Sequence, residues 1–581
     1  MSRIFLRELE ARQPGDHDRR WLYVPYDQLS DGIGPLSRER PAQLGIVLVE
    51  CPWKAARRPY HKQKLALLLS NQRHFALEQA ELGVAVRYVI AQPGQPYREV
   101  LRSVVDELGA LRMMRPAERE LRVDLAPLVA DGSLDELPHD GWLTSRSQFE
   151  RGAKKPPWRL DAFYRQVRRE TGILMEGRRK PVGGKYSFDA ENRQAWYGDP
   201  PAPAVPTFAV DAITEEVGAM ITNHFAHHPG TLQLDAIPAT REDVDALWAW
   251  AKASCMPHFG PFEDAMSTAS RNLFHTRISP LINLHRLLPR QVVDDVLAMD
   301  DLGLSSKEGF IRQVLGWREF VHHVHEATDG FRTLPEGYDV EGGVPVGEAP
   351  GDAGYGDWTG VAWTPSRLSD AIGEKRADDE EPPPDEVRDG GARPSHLGAD
   401  HPLPPAYWNG KSGMHCLDQS VQAVWEEGYS HHIKRLMVLA NIATLLDVSP
   451  RALTDWFWVG YVDAYDWVVE PNVLAMGTFG AGDLMTTKPY VSGANYIDKM
   501  SDYCEHCAFR PRRTCPITPM YWAFLERHRD VLENLPRMRL PLRSLAKRSD
   551  EQKAKDAEIF AAVRAALDAG TVLKPGRLPK R

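Results

Sequence analysis

The sequence predicts a protein of two parts, an α/β part built on an open parallel sheet followed by an all-α part. Residues 21–140 alternate short β-rich runs with helical segments, and apolar positions recur at helical spacing from about 235 to 530. A group of cysteines with metal-ligand spacing lies inside the second part. A chain of 581 residues is also too long for one ordinary core, which favours more than one domain.

The α/β part is predicted to span residues 1–140. Its β-rich runs are residues 21–26, 44–50 and 83–90, and residues 61–82 carry apolar positions at helical spacing. This βαβ order is typical of an open, Rossmann-like parallel sheet. The part has no G-x-G-x-x-G and no G-x-x-x-x-G-K-[ST] string, so neither a dinucleotide loop nor a nucleoside triphosphate loop is indicated.

Residues 141–234 are predicted to form a basic, helical connection between the two parts. Residues 145–185 hold twelve lysines and arginines, Arg168 among them, against four acidic residues. Such a segment is either a solvated helix face or a surface that contacts phosphates. Aromatic residues are interleaved with the basic ones: Trp158, Phe163 and Tyr164.

The all-α part is predicted to span residues 235–536. A stretch from about 328 to 400 interrupts its helical pattern and is rich in Gly, Pro and Asp. We expect this stretch to be a mobile surface insertion. Residues 537–581 are basic and helix-prone, and we expect them to be a C-terminal tail without a special role.

The composition is that of an ordinary globular protein, with 43% hydrophobic and 26% charged residues. No apolar run reaches the roughly 18–20 residues that a membrane helix needs, and the N-terminus lacks a signal-peptide pattern. The cysteine usage indicates a reducing compartment, so we expect a cytoplasmic monomer with no membrane partner. The net charge of −9 argues against general nucleic-acid affinity but leaves room for a local basic face.

Four cysteines near the C-terminal end have the spacing of a metal site. The last three stand in the string C-E-H-C-A-F-R-P-R-R-T-C-P, and the first lies almost ninety residues upstream. Thiolates in this pattern can hold one iron–sulfur cluster or one zinc ion, and zinc could also use His506. Either site would tie two distant segments together. The predicted ligands are Cys416, Cys504, Cys507 and Cys515.

Two strings in the all-α part suit a cofactor that carries phosphate. H-T-R-I-S-P at 275–280 packs hydroxyls and an arginine together, and G-W-R-E-F follows at 316–320. These groups are good phosphate ligands at a helix start, although a helix N-cap would explain Thr276 or Ser279 equally well. Together the strings resemble the flavin-binding half of the photolyase/cryptochrome family, with Ile278 where that family has Leu.

The resemblance covers most of the chain. Further matching strings are G-K-S-G-M-H-C-L-D, S-H-H-I-K-R-L-M-V, D-A-Y-D-W-V-V-E-P-N-V and K-P-Y-V-S-G-A-N-Y-I-D-K-M. They are similar to the prokaryotic iron–sulfur branch of the family, whose best-known members repair (6-4) pyrimidine photoproducts. The resemblance implies an α/β antenna domain, a helical FAD-binding domain and a [4Fe–4S] cluster held by the four cysteines.

The resemblance also implies a catalytic histidine pair and two lesion-pocket tyrosines. Reversal of a (6-4) lesion moves an oxygen between bases and needs a proton donor, and histidine titrates closest to neutrality. His432 is the predicted acid, with His431 assisting. Tyr490 and Tyr496 flank a loop and would offer stacking surfaces and hydrogen bonds to a flipped dinucleotide. A structural role in the loop is the alternative for both tyrosines.

The flavin contacts are likewise implied by the resemblance. Arg435 is predicted to pair with Asp463 beside the flavin and to tune its charge state, and an ordinary ion pair is the alternative. Glu470 is a further possible neighbour of the flavin ring. The residues predicted to bind FAD are Thr276, Arg277, Ser279, Arg435, Asp463 and Asn472.

Two tryptophans match positions proposed as electron relays in the bacterial branch. They are Trp408 and Trp456, and generic core packing is the alternative for either. Phe457 follows the second one where a relative has Tyr. Phenylalanine is a poorer relay, so the outer part of the electron route is expected to differ.

An antenna site is implied at the strand ends of the α/β part. In relatives a D-Q-L motif there lines a site for 6,7-dimethyl-8-ribityllumazine, and strand ends are where open α/β sheets bind ligands. The matching antenna residues are Asp27, Gln28 and Leu29, with Glu50 at the end of the second strand. Relatives usually have Gly before the Asp, so Tyr26 is expected to alter or block this pocket.

Together these features predict light-driven repair of (6-4) photoproducts in UV-damaged DNA. The electron would come from photoexcited reduced FAD, with histidine-assisted proton transfer. A blue-light cryptochrome with the same cofactors is the alternative. A non-photochemical iron–sulfur DNA-binding protein and a cyclobutane-dimer photolyase are further alternatives, and the latter would leave the histidine pair idle.

Overall fold

The computed structural model describes residues 4–338, except 16, 93 and 178, and residues 391–579. Of the predicted insertion at 328–400, residues 339–390 lie outside the described residues. The flanking residues 391–400 are described, and Ala392 is fully buried where its carbonyl accepts a hydrogen bond from Arg451 at 3.2 Å.

The first part is built on a five-stranded parallel sheet in the order β3-β2-β1-β4-β5. Every residue of β2, which reads L-G-I-V-L-V-E, is buried, as expected for a strand covered on both faces. The strands are β1 (Arg20–Tyr23), β2 (Leu44–Glu50), β3 (Ala85–Ile90), β4 (Leu111–Met114) and β5 (Leu134–Leu137). Their helices are α1 (Ile4–Arg12), α2 (Pro52–Arg57), α3 (Lys62–Glu81), α4 (Tyr97–Leu108) and α5 (Arg119–Ala130).

The strand order reverses at β1, which has β2 on one side and β4 on the other. In open α/β sheets, the crevice outside the carboxyl ends of the strands at such a reversal is the usual ligand site. The segment that follows β1 begins at Val24 and contains the predicted antenna residues, so the fold brings them to this crevice.

Helix α3 lies between the two parts of the molecule. Polar side chains along it are buried, including Lys64, which donates to the carbonyls of Trp458 at 3.0 Å and Ala464 at 2.5 Å. The backbone N–H of His61, which caps the helix, donates to the carbonyl of Val459 at 2.8 Å. These bonds join the α/β part directly to the helical part.

The basic connection is folded onto both parts. It contains α6 (Arg146–Gly152), α7 (Leu160–Thr171), a hairpin of β6 (Met175–Glu176) and β7 (Lys180–Pro181), and α8 (Ala212–His224), which packs on α3. The interleaved aromatics are buried, and Arg168 is fully buried while its guanidinium donates to three backbone carbonyls. Arg168 is therefore a core residue, whereas the contact of the 145–185 segment with phosphates stays a prediction.

The second part is helical throughout its described residues, and the predicted fold class is confirmed. Four π-helical segments extend its helices: Ala251–Cys255, Arg312–Arg318, Lys434–Ala440 and Glu470–Gly477. Its α-helices before the insertion are α9 (Arg241–Trp250), α10 (Met256–Phe259), α11 (Ser279–Asn283), α12 (Pro289–Leu297), α13 (Leu304–Ile311) and α14 (Glu319–Ala327). After it come α15 (Ala406–Asn409), α16 (His415–Glu427), α17 (Asn441–Leu445), α18 (Pro450–Gly460), α19 (Asp466–Val469), α20 (Ala494–Met500), α21 (Ile517–Arg527) and α22 (Arg529–Leu532).

The C-terminal segment packs on the helical part. It forms α23 (Arg539–Leu545) and α24 (Asp550–Asp568), and α24 lies along α21. A capping box between Ser549 and Gln552 starts α24, and Leu573 beyond it bonds to the carbonyl of Ser412 at 2.9 Å. Among the described residues, no helix combines the length and hydropathy that a membrane span requires.

Candidate functional site

A cluster of three imidazoles lies in the helical part. His431 is 2% exposed, and its ring stacks on that of His275 with centroids 4.3 Å apart and planes 5° apart. His432 meets His275 edge-on at 5.6 Å, and 43% of its side chain is exposed. One ring nitrogen from each lies within 4.8 Å of the others. The two adjacent histidines thus have different environments, one buried and one facing solvent.

Burial makes the two inner imidazoles neutral. It is the main reason that the pKa values of His275 and His431 lie well below 6.5, and the neighbouring histidines and the charge of Lys434 lower them further. Both imidazoles are therefore in their neutral form at neutral pH. His432, the exposed member of the cluster, is therefore the one placed to exchange protons with a ligand.

Asp264 and Tyr496 accompany His432 at the opening of the cluster. The Asp264 carboxylate lies 4.0 Å from Nε2 of His432 and accepts a hydrogen bond from the Tyr496 hydroxyl at 2.9 Å. Arg193 Nε lies 3.7 Å from the same carboxylate. The sequence predicted His432 and Tyr496 but missed Asp264 and His275, because only the folded chain brings them together.

The loop that carries Tyr490 brings positive charge near this opening. Tyr490 is half-buried, and neither Lys488 nor Arg537 forms an ion pair within the described part of the chain. Arg537 donates to the hydroxyl of Thr487 at 3.5 Å. Burial and the charges of Arg537 and Arg193 lower the pKa of Lys488. Cations gathered in this way favour an anionic ligand such as a phosphate.

A buried ion pair lies one helical turn from the histidine pair. Arg435 donates to both carboxylate oxygens of Asp463, at 3.0 and 2.9 Å, and the Ser279 hydroxyl donates to Asp463 at 2.7 Å. Burial alone would raise the pKa of Asp463, but the Arg435 charge and these hydrogen bonds lower it below 3.8. The carboxylate therefore remains charged in the interior, and the predicted pairing is present in the structure.

The H-T-R-I-S-P string forms a turn that leads into α11. Arg277 has a positive φ of 56° and pairs with Glu427 at 2.7 Å, so its charge is already balanced by the protein. Thr276 is 7% exposed and stands between His275 and Arg277 in the sequence. The turn therefore places Thr276 and Ser279 close to the imidazole cluster and the ion pair, respectively.

Asn472 and Glu470 differ in what they offer a ligand. The Asn472 amide nitrogen donates to the carbonyl of Val468 at 2.8 Å, which leaves its oxygen for other contacts. Glu470 is 1% exposed and accepts hydrogen bonds from His325 at 2.9 Å and Arg451 at 2.8 Å. Residues two apart on a helix point to nearly opposite sides, so Glu470 faces an internal ion network while Asn472 does not.

A row of aromatic rings leads to the buried ion pair. Trp408 is partly buried and stacks on Trp425 at 5.3 Å, and Trp425 contacts Trp456 edge-on at 5.6 Å. Trp456 is 6.2 Å from Tyr461, whose ring lies 4.0 Å from the guanidinium of Arg435. The predicted residues Trp408 and Trp456 thus belong to one connected row.

Trp425 is the member of this row that the sequence did not predict. Its helical spacing marks it only as an apolar-face residue of α16. In the structure, the carbonyl of Tyr407 accepts hydrogen bonds from the indole N–H groups of both Trp425 and Trp456, at 3.0 and 2.9 Å. One peptide group therefore fixes the relative position of the two indoles.

The four predicted cysteine ligands line one small pocket between α16 and the segment after α20. Tetrahedral zinc with Zn–S bonds near 2.3 Å would hold its thiolates about 3.8 Å apart. Among the described residues, the only group of three or more possible ligands within 4.8 Å of one another is the imidazole cluster. The four thiols line one pocket, and both zinc and an iron–sulfur cluster take cysteine ligands in this pattern.

The predicted antenna residues meet near the strand ends, but the protein itself uses most of their polar groups. Glu50 accepts hydrogen bonds from Arg73 at 2.9 and 3.1 Å and from a tyrosine hydroxyl at 2.8 Å. Gln28 donates to two backbone carbonyls, and Leu29 is fully buried in the core. The Asp27 carboxylate and the side-chain oxygen of Gln28 have no hydrogen-bond partner among the described residues.

The region beside the ion pair fits a polar heterocyclic cofactor. Both ring nitrogens of His431 and Nε2 of His275 are buried without a hydrogen-bond partner in the described part of the protein. Buried polar atoms of this kind need a partner. The ring nitrogens and carbonyl groups of a flavin offer complementary donors and acceptors. These features define a two-part protein with a cofactor site inside its helical part.

Comparison with known proteins identifies the family. The family model described as deoxyribodipyrimidine photo-lyase-related protein matches residues 22–236. A protein named (6-4) photolyase from Agrobacterium fabrum is 31% identical over 541 residues, which are 90% of this chain and 95% of that protein. The chain therefore belongs to the photolyase/cryptochrome family.

A solved photolyase structure shares the fold. The crystal structure of a bacterial class III photolyase from Agrobacterium tumefaciens matches 96% of this chain and 99% of its own, with a TM-score of 0.50 and 13% identity. A cryptochrome from Synechocystis sp. PCC6803 matches 79% of this chain and 82% of its own, with a TM-score of 0.45 and 13% identity. The first of these two structures supports the fold assignment and nothing beyond the fold.

Proposed function

We propose that this protein repairs (6-4) photoproducts in DNA under light, with FAD as its redox cofactor. The observation that carries the proposal is the solvent-facing imidazole of His432 beside Asp264 and Tyr496, at the opening of a buried imidazole cluster. The Agrobacterium relative named (6-4) photolyase supports the same reaction. Repair of this lesion needs a proton donor that faces the substrate, which His432 provides.

The residues beside the ion pair would hold the cofactor. Thr276 and Ser279 offer hydroxyls, Asn472 offers its amide oxygen, and the Arg435–Asp463 pair sets the local charge. FAD, when bound, supplies the light-driven electron for the reaction. The row of tryptophans that ends near Arg435 connects this site with the partly buried Trp408.

The protein's own residues handle the proton and the lesion. His432 holds the proton that is transferred to the lesion, and the nearby Asp264 carboxylate stabilises the protonated imidazole. His431 stays neutral and limits how far the lesion can enter. Tyr490 and Tyr496 would stack on, or hydrogen bond to, the flipped bases.

The four cysteines hold a [4Fe–4S] cluster in this proposal. All four thiols line one pocket, and the resemblance of their strings to the iron–sulfur branch of the family supports a cluster over zinc. The cluster would bind α16 to the segment after α20 and so stabilise the site indirectly. Iron and labile sulfide analysis of protein purified without air tests this assignment, and zinc in place of iron would contradict it.

The test of the proposed function combines a spectrum with a repair assay. Protein purified without air should show flavin absorption bands, and blue light should remove (6-4) lesions from DNA while darkness should not. Cyclobutane-dimer DNA serves as the control substrate and should remain unrepaired. A bound flavin with no repair of either lesion would contradict the proposal and favour a photoreceptor.

Trp425→Phe is expected to slow photoreduction of the bound flavin. The phenyl ring keeps the space filled but removes the oxidisable indole between Trp408 and Trp456. The measurement is the rate of flavin bleaching under blue light with an external reductant. Trp250→Phe is the control because Trp250 lies outside this row. Equal rates for the Trp425 variant and the wild type would remove Trp425 from the route.

Lys488→Ala and Arg537→Ala are expected to weaken DNA binding, with or without a lesion. Loss of one phosphate contact should lower the slope of log affinity against log salt by about 1 for each variant. Fluorescence anisotropy with a labelled duplex at several salt concentrations measures this slope. Arg87→Ala is the control, since Arg87 is exposed, is paired with Glu107 and lies outside the basic segment. An unchanged slope in both variants would exclude these residues from the DNA surface.

A further inference from the structure

The crevice at the ends of β1 and β4 contains side chains of the protein where relatives are expected to hold a lumazine. Tyr26 follows β1, is 2% exposed and donates its hydroxyl to Glu118, which precedes α5 after β4. The Tyr26 ring also lies 5.9 Å from that of Tyr97. A phenol ring therefore occupies the position where a glycine would leave open space.

The side chain of Lys54 also lies in the crevice. Lys54 on α2 donates to the Tyr26 hydroxyl at 2.8 Å and to the carboxylate of Glu118, and it reaches Glu120 at 3.4 Å. Its side chain is 17% exposed, whereas those of Glu118 and Glu120 are 1% and 6% exposed. These side chains are thus mostly shielded from water, and burial together with the neighbouring carboxylates of Asp466 and Glu120 raises the pKa of Glu118.

The group continues into the helical part. Glu120 pairs with Arg58, whose guanidinium lies 3.9 Å from the ring of Trp458 on α18. The backbone N–H of Glu120 donates to the carboxylate of Asp466 at 3.1 Å. A ligand entering this crevice would have to displace Tyr26 and disrupt ion pairs of the α/β part, which contact the helical part through Trp458 and Asp466.

The remaining antenna residues leave little for a ligand to bind. Glu50 and Gln28 are already bonded to the protein, and Leu29 belongs to the core. The Asp27 carboxylate and the Gln28 side-chain oxygen remain unpartnered among the described residues, and burial raises the pKa of Asp27 to about 6. Two buried acceptors beside the packed side chains of Tyr26, Lys54 and Glu118 offer little to a heteroaromatic ring and its ribityl chain.

We infer that this chain binds no lumazine at the strand ends, because Tyr26, Lys54 and Glu118 fill the crevice and use it to join the two parts. Without a bound lumazine, the flavin itself would absorb the light that drives the reaction. This inference concerns the α/β part and does not depend on the repair activity of the helical part.

Titration of the cofactor-loaded protein with 6,7-dimethyl-8-ribityllumazine tests the inference. The lumazine fluorescence should stay unchanged with the wild type and with Tyr26→Phe, which keeps the ring. Tyr26→Gly should bind the compound and quench its fluorescence by energy transfer to the flavin. Flavin content and circular dichroism show that each variant is folded, and Tyr26→Ala replaces Tyr26→Gly if the glycine variant is not.

Saturable quenching by the wild type, or lumazine that purifies with it, would overturn the inference. Failure of the folded small-residue variant, Tyr26→Gly or its replacement Tyr26→Ala, to bind would overturn the assignment of Tyr26 as the closing residue. Binding by Tyr26→Phe as well as by Tyr26→Gly would do the same, because it would show that the hydroxyl network and not the ring excludes the ligand.

Discussion

Replacing His432 by alanine is expected to reduce light-driven repair by about 10²–10⁴-fold, the usual contribution of a positioned acid or base. His432 is the exposed member of the imidazole cluster, and burial holds the pKa values of His275 and His431 too low for either to substitute for it. The rate of lesion loss under blue light, at saturating DNA, measures the effect.

Two further measurements separate a proton-transfer role from a structural one. The His432→Ala protein should retain its flavin content and its rate of flavin photoreduction, because neither needs the acid. His227→Ala is the matched control, since His227 is exposed and far from the cluster in sequence. Repair by the His432 variant within a few-fold of the wild type would refute the assignment.

Replacing Asp463 by alanine is expected to lower the free energy of unfolding by about 3–5 kcal/mol, the cost of leaving a buried partner charge uncompensated. The side chains of Arg435 and Asp463 are 22% and 7% exposed and form two hydrogen bonds. We expect the purified variant to contain less flavin as well. Urea denaturation followed by circular dichroism measures the stability.

The pH dependence gives a second signature of the same pair. The folded-state pKa of Asp463 lies below 3.8, so its contribution is fully present above the unfolded-state pKa and is lost as pH falls through the folded value. Glu150→Ala is the control, because Glu150 forms an exposed pair with Arg146 that is worth about 0–1 kcal/mol. A loss as small as that of the control would contradict the role assigned to Asp463.

The fold was predictable where the sequence pattern matches one secondary structure over a long stretch. Strand β2 and helix α3 lie where the apolar runs predicted them. Strands β4 and β5 were not identified, because each has four residues, and β5 reads L-D-E-L with little apolar character. The number of basic residues in a segment does not show which of them are exposed. Arg168 is buried because three backbone carbonyls accept hydrogen bonds from its guanidinium.

The candidate site was predictable only for residues that stand in recognisable strings. The adjacent His431 and His432 are visible in the sequence, but no local pattern assigns one to the interior and the other to the surface. Asp264 and Trp425 join the site through tertiary contacts between distant segments. Distances in space between residues far apart in sequence are what one chain without relatives cannot reveal.

Helix α3 has a consequence for how the molecule can be divided. The boundary near residue 140 separates two kinds of secondary structure, but the buried polar side chains of α3 find their partners beyond it, as Lys64 does at Trp458 and Ala464. In a fragment ending at residue 140, the ammonium group of Lys64 and the backbone N–H of His61 would lack the carbonyls that accept their hydrogen bonds in the whole chain. We therefore expect the two parts to unfold together, and a fragment ending at residue 140 to be less stable than the same residues in the whole chain.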